Sequence, residues 1–163
     1  MNTKSITRTA AFAAAAVLLG YVESLFPPIA AGVKLGLANT VVITVLYSQS
    51  ERQSWAVAFI KVILCALLFT NASSFIYSLC GAVVSLGAMI LAKKSGAFSI
   101  IGVSSVGGLF HNMAQLLCAY FFIGKGVLLY IPMLCLSGAL CGVLTGIAAQ
   151  ILIKRGRELF GKE

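Results

Sequence analysis

The sequence predicts an all-α integral membrane protein: a single domain of six transmembrane helices with both termini cytoplasmic. Three observations carry this. Hydrophobic residues make up 60 % of the 163-residue chain and charged residues only 10 %, where an ordinary soluble domain carries roughly 25 % charge. With a mean hydropathy of +1.03, so few charges cannot clothe a water-facing surface, and the solvent for this chain is lipid. The apolar residues fall into six runs close to the ~20 residues that a helix needs to cross a bilayer. The basic residues gather on one side of those runs.

The first helix is expected at about 10–26, stopped by Pro27-Pro28. It is read as a retained helix, because Tyr21-Val22-Glu23 follows the apolar stretch where a leader peptide would carry small residues for cleavage. The second, at about 35–48, is short, and Gly32 and Gly36 loosen its start. The third covers about 55–70. The fourth, about 73–92, stops at Lys93-Lys94, and the fifth covers about 99–123. The sixth, about 130–153, holds Pro132 in its first turn, where the missing N–H has no helical partner to lose. SLCGA at 78–82 is similar to CLSGA at 135–139, but the match does not extend into a repeat.

Placing the N-terminus inside puts Lys4, Arg8, Arg52, Lys93, Lys94, Lys154, Arg155, Arg157 and Lys162 on one side, and Lys125 alone on the other. The positive-inside rule makes the crowded side cytoplasmic, in a multi-pass protein of the cell membrane. The net charge of +8 is thereby explained by topology, and no nucleic-acid partner is required. The four acidic residues are all Glu, which argues against chemistry on aspartate-held magnesium. Cys65, Cys80, Cys118, Cys135 and Cys141 all lie in apolar runs without a CxxC pair. They read as small hydrophobes, with neither a disulfide nor a metal site expected. No cofactor is implied.

Ionisable groups inside a membrane are costly and mark function by default. Here they are Glu23, Lys34, Lys61 and His111, accompanied by Asn39, Asn71, Asn112 and Gln115. Following each helix through the bilayer puts Glu23, Lys34, Asn39, Asn71, His111 and Gln115 at one depth, in a pocket opening away from the cytoplasm. His111 and Gln115 are four residues apart and share a helix face. Asn112 is rotated from them toward another neighbour. Glu23 and Lys34 either pair structurally, so that two charges can exist in lipid, or bind ligand. Lys61 is expected to snorkel toward the cytoplasmic interface. His111 serves the ligand or bonds between helices. Small residues form two faces, Ala10-Ala14-Leu18 on the first helix and Gly138-Gly142-Gly146 on the last. The glycine face is read as packing within the chain, and the alanine face as an exposed docking surface for another membrane subunit.

The segments GYVESLFPPIAAGVKLGLANTVVI (20–43), FTNASSFIYSLCGAVVSL (69–86) and IGVSSVGGLFHNMAQLL (101–117) resemble the Gx transporter family, also labelled heptaprenyl diphosphate synthase component I. The resemblance covers nearly the whole chain. That family is similar in turn to the S components of energy-coupling factor (ECF) transporters. The resemblance implies six helices that bind a vitamin-like solute from outside, and small residues of the first helix that dock a coupling subunit. Ala10 and Ala14 match that pattern. The partners implied are an ECF-type coupling subunit and ABC ATPases. By the same resemblance, relatives are associated with flavin-linked and quinone-linked electron transfer.

The leading expectation is a non-catalytic substrate-binding subunit, with Lys34 attracting a carboxylate or phosphate and Glu23 holding Lys34 or a cationic group. The synthase label is weighed against residues. Prenyl diphosphate synthases resembling that label hold magnesium and diphosphate through aspartate-rich motifs, and this chain has neither an Asp nor a GK[ST] phosphate loop. It cannot be such a catalyst alone. The alternative is an accessory membrane component of heptaprenyl diphosphate or quinone metabolism, or of a flavin-linked extracytoplasmic electron-transfer system. A third reading is a scaffold for extracytoplasmic redox proteins.

Overall fold

The computed structural model describes residues 3–25, 36–69 and 72–160. The described residues form helices α1 (Thr3–Ser24), α2 (Leu37–Ser48), α3 (Glu51–Phe69), α4 (Ala72–Ser95), α5 (Ile100–Ile123) and α6 (Ile131–Phe160). A short 3₁₀ helix, Lys125–Tyr130, leads into α6, and no strand occurs among these residues. The Pro27-Pro28 turn, Lys34 and Asn71 lie outside the described residues.

Five helices are long and apolar enough to cross a membrane, namely α1, α3, α4, α5 and α6. The expectation of six spanning helices is corrected at α2. Its 12 residues rise only about 18 Å, against a hydrocarbon core of about 30 Å. It is instead the most enclosed element, with Ala38 and the whole run Thr40–Leu46 buried. α2 packs on α1, α3 and α6, while α5 packs most extensively on α6 and then on α4. One group of helices, α1-α2-α3, therefore joins another, α4-α5-α6, across the α2–α6 and α3–α4 contacts.

Lipid tails are as apolar as leucine, so burial of side chains does not by itself drive these helices together; close backbone approach and interhelical hydrogen bonds do. The α5–α6 seam uses both. A Cβ added to Gly108 would lie 2.1 Å from the Gly138 carbonyl oxygen, and one on Gly142 would lie 2.5 Å from the Ser104 carbonyl oxygen. Ser104 and Thr145 hydroxyls pair at 2.9 Å, and the Ser105 hydroxyl donates to the Ala139 carbonyl at 3.2 Å. The Gly138-Gly142-Gly146 face is thus an intrachain contact. Large apolar residues such as Leu67, Phe121 and Leu129 point outward, where lipid would meet them.

One end of the bundle is basic. The Gln53 amide donates to the Ser5 hydroxyl at 2.9 Å and the Thr9 hydroxyl at 3.2 Å, joining the starts of α1 and α3. Lys94 pairs with Glu51 at 3.1 Å, which brings the end of α4 to the same place. Lys93 Nζ donates to the Leu46 carbonyl at 2.5 Å and sits 4.8 Å from the centre of the Tyr47 ring. That ammonium faces the negative end of the α2 dipole. α4 stops there at Gly96, whose φ of +68° is a left-handed closure that suits glycine.

Candidate functional site

All six helices contribute to one cavity of about 120 Å³; on that scale a single water needs about 10–15 Å³. α1 supplies Gly20, Glu23 and Ser24; α2 supplies Ala38 and Asn39, with Gly36 just before it. α3 supplies Lys61, Val62, Cys65, Ala66 and Phe69. α4 supplies Ser78, Ser85 and Met89. From α5 come Ser104, Gly107, Gly108, His111, Asn112 and Gln115, and from α6 Gly138, Cys141, Gly142 and Thr145.

Glu23 sits in the last turn of α1, and its Oε1 accepts a hydrogen bond from the Gly36 backbone N–H. Gly36 adopts φ +74° at the N-cap of α2 and has no capping side chain of its own. The carboxylate of Glu23 therefore takes the N–H of the N-cap residue itself, as the acid of a capping box does, and meets the positive end of the helix dipole. α2 is thus bounded by a carboxylate at its start and by the Lys93 ammonium at its end, each of the favourable sign.

The structure corrects the expectation for Lys61. Its Nζ donates to Asn39 Oδ1 at 2.7 Å, joining α3 to the first turn of α2, and the side chain lines the cavity. About 14 Å of helix separates Lys61 from Arg52, more than a lysine stem can bridge, so snorkelling to the basic end is out of reach. The nearby amide oxygen offers the ammonium a partner at no such cost.

His111 occupies the space that Gly81 leaves empty. A Cβ on Gly81 would lie 2.7 Å from His111 Cε1 and 2.9 Å from Nδ1, so any larger residue there would force the imidazole or the helix to move. One turn further, Gln115 lines the same cavity. Asn112 turns toward α6, donating to the Leu134 carbonyl at 2.9 Å, in line with its rotated position on the helix. Ser85 donates to the Gly107 carbonyl at 2.8 Å and closes the α4–α5 wall.

Of the six pocket residues expected from sequence, the structure brings Glu23, Asn39, His111 and Gln115 onto the cavity. Lys34 and Asn71 lie outside the described residues. Sequence reasoning missed Lys61, Ser85, Ser104 and Thr145 as pocket residues. The signal for Ser104 was present, since Ser104, Gly108, His111 and Gln115 follow the four- and three-residue steps of one helix face. Ala10 and Ala14 are exposed, while Thr9, Ala13 and Ala16 of the same helix are buried, so the alanine face points away from the bundle.

The cavity brings a carboxylate, an ammonium, an imidazole and several amides and hydroxyls together within an apolar bundle. Such a set can bind and orient a small polar group. Among the described residues, no three His, Cys, Asp or Glu side chains form a group able to hold a metal ion.

The family model described as heptaprenyl diphosphate synthase component I matches residues 12–152. Neither a curated protein nor a solved structure matches the chain.

Proposed function

The chain belongs to the heptaprenyl diphosphate synthase component I family, and from that premise we propose that it is a non-catalytic membrane subunit that binds a small solute in its six-helix cavity. The observation that carries this reading is the meeting of Glu23, Lys61 and His111 on one cavity, each from a different helix. Three ionisable groups inside a membrane bundle are expensive to maintain. Glu23 is accounted for by the α2 cap. Lys61, which donates to Asn39, and His111 both line the open volume, and that placement favours solute recognition. Lys61 would hold an anionic or carbonyl group of the solute, with Asn39, His111 and Gln115 fixing its orientation.

In this reading the protein acts as an S component of ECF type. The solute is vitamin-like, flavin- or quinone-related, and uptake depends on partners. A coupling subunit would dock on the exposed Ala10-Ala14 face, and ABC ATPases would supply energy. The family's description favours a second reading, an accessory membrane subunit of heptaprenyl diphosphate synthesis whose partner is the second synthase component. There the cavity would take part of the prenyl substrate.

Purification in mild detergent from native membranes, with mass spectrometry of retained proteins and small molecules, tests both. Recovery of a coupling subunit with ABC ATPases supports the transporter reading. Recovery of a prenyl synthase component without those ATPases supports the second. Lys61→Met should lose the retained small molecule; it also leaves Asn39 Oδ1 without its donor, at about 1–3 kcal/mol, so retention is compared on folded protein of each variant. Retention of the same molecule by Lys61→Met would remove the cavity from the function.

A further inference from the structure

On one wall of the cavity the protein fixes the direction of every hydroxyl proton. Ser85, Ser104 and Thr145 line the cavity and are buried, and a hydroxyl has one proton to give and two lone pairs to offer. Ser85 gives its proton to the Gly107 carbonyl at 2.8 Å, and Thr145 gives its proton to the Gly142 carbonyl at 3.0 Å. The Ser104 and Thr145 hydroxyls also meet at 2.9 Å. Thr145 has no second proton, so Ser104 is the donor in that contact. All three protons are committed to the protein, and the oxygens turn only lone pairs to the cavity.

The backbone beside them adds no donor. Gly107, Gly108 and Gly142 line the same wall inside α5 and α6, where each N–H is consumed by the helix ladder. The partners of Ser85 and Thr145 gather these oxygens around one turn of α5, from Ser104 to Gly108. That turn accepts hydrogen bonds and cannot give them.

Lys61 has the opposite character. An ammonium carries donors and no acceptor, and this one holds Asn39 Oδ1 at 2.7 Å. The two poles border one spot: a Cβ placed on Gly36 would lie 3.7 Å from Asn39 Nδ2 and 3.7 Å from Thr145 Cγ2. The cavity of about 120 Å³ has room for about 8–12 waters, so one small molecule can reach from the ammonium to the hydroxyl turn.

We propose that the solute is a small acid with a hydrogen-bond donor, an amine or a hydroxyl, at its far end. The acid lies on Lys61 and the donor on the oxygens of Ser85, Ser104 and Thr145. This assignment rests on the cavity being a solute site, and it narrows the solutes to those of one polarity pattern. A methyl in place of the donor would forgo the bonds to that wall, and a carbonyl there would set lone pair against lone pair. A buried site built to pair a polar group rejects the analogue lacking it far more strongly than an apolar pocket rejects a missing methylene.

The test is calorimetric titration of the purified protein in detergent with ω-amino and ω-hydroxy carboxylates of increasing chain length. Each is matched with the alkyl carboxylate that has a methyl in place of the donor. At the best length the donor-bearing acid should bind about tenfold or more tightly than its match, as two or three buried hydrogen bonds imply. In Ser85→Ala/Ser104→Ala that preference should fall to about threefold or less, since one acceptor of the three is left, with binding of the alkyl acid unchanged. Ser85→Ala alone, which leaves the α5–α6 hydroxyl pair intact, should show part of the same fall. A purely structural role for the hydroxyls would weaken both series alike, and that result overturns the proposal. Equal affinity of wild type for matched acids also overturns it, and leaves the cavity a solute site. Failure of every acid to bind overturns it too; the solute reading falls with it only if the molecule retained from native membranes is the same in wild type and Lys61→Met.

Discussion

Glu23 accepts a hydrogen bond from the backbone N–H of Gly36, thirteen residues further along the chain, and so ties the end of α1 to the start of α2. α2 is too short to span the bilayer, and without Glu23 the Gly36 N–H at its N-cap would lack this partner in an apolar interior. The relationship assigns Glu23 a structural duty on the wall of the cavity.

Substitution of Glu23 should consequently be felt first as lost stability. Glu23→Ala removes both acceptor and charge, and the cost expected for losing a cap is about 1–2 kcal/mol. Glu23→Gln keeps an acceptor and loses only the charge–dipole attraction, about 0.3–1 kcal/mol. Thermal unfolding in detergent should therefore rank wild type above Gln, and Gln above Ala. A Gln variant that melts like wild type but no longer retains its solute would reverse the assignment, making ligand binding the main task of Glu23.

Glycines in this chain are separable by what surrounds them. Gly108→Ala would drive a Cβ to 2.1 Å from the Gly138 carbonyl oxygen, and backbone cannot yield as a side chain tip can. The expected loss is about 1–3 kcal/mol, the usual range for overpacking. Gly87→Ala, in α4, meets nothing within 4 Å and should gain about 0.5–1 kcal/mol from the helix preference for alanine. Melting temperatures of the two variants should move in opposite directions. Gly108→Ala equal in stability to Gly87→Ala would mean that α5 and α6 do not approach as described.

Much of this architecture was legible because breakers and charges punctuate the apolar runs: Lys93-Lys94 mark the end of α4, and Ser99 caps α5, accepting from the Gly102 N–H at 3.2 Å. The start of α1 was not. Apolarity begins near Ala10, whereas the helix begins at Thr3, since Ser5 and Thr9 find a partner in Gln53 that only the tertiary fold supplies. α6 likewise runs past Ile153 to Phe160, because a basic segment leaving the hydrocarbon needs no apolar side chains to stay helical. At the cavity, Glu23, Asn39, His111 and Gln115 stood out as polar residues in apolar runs. Lys61 was misread because a few turns from Arg52 suggested a reach that about 14 Å of helix denies, and because its bond to Asn39, twenty-two residues back, is not visible in the sequence. Ser104 and Thr145 escaped notice because lone hydroxyls in membrane helices are commonplace.

The contact between Gly81 and His111 yields a prediction that couples packing to the cavity. In Gly81→Ala the new Cβ would lie 2.7–3.0 Å from three atoms of the imidazole. The ring must then swing or the helices part, at about 1–3 kcal/mol. A ring that swings inward takes volume from the cavity, so retention of the solute should fall as well. His111→Ala removes the ring and its own contacts. In the double variant Gly81→Ala/His111→Ala the added Cβ enters space the ring has vacated, so its loss of stability should fall short of the sum of the single losses by about 0.5–3 kcal/mol. Four melting curves measure this coupling, and strictly additive losses would show that Gly81 owes its place to something other than the imidazole. Solute retention separates the remaining possibilities. If His111 only packs, the double variant should recover retention along with stability. If His111 also contacts the solute, stability returns and retention does not.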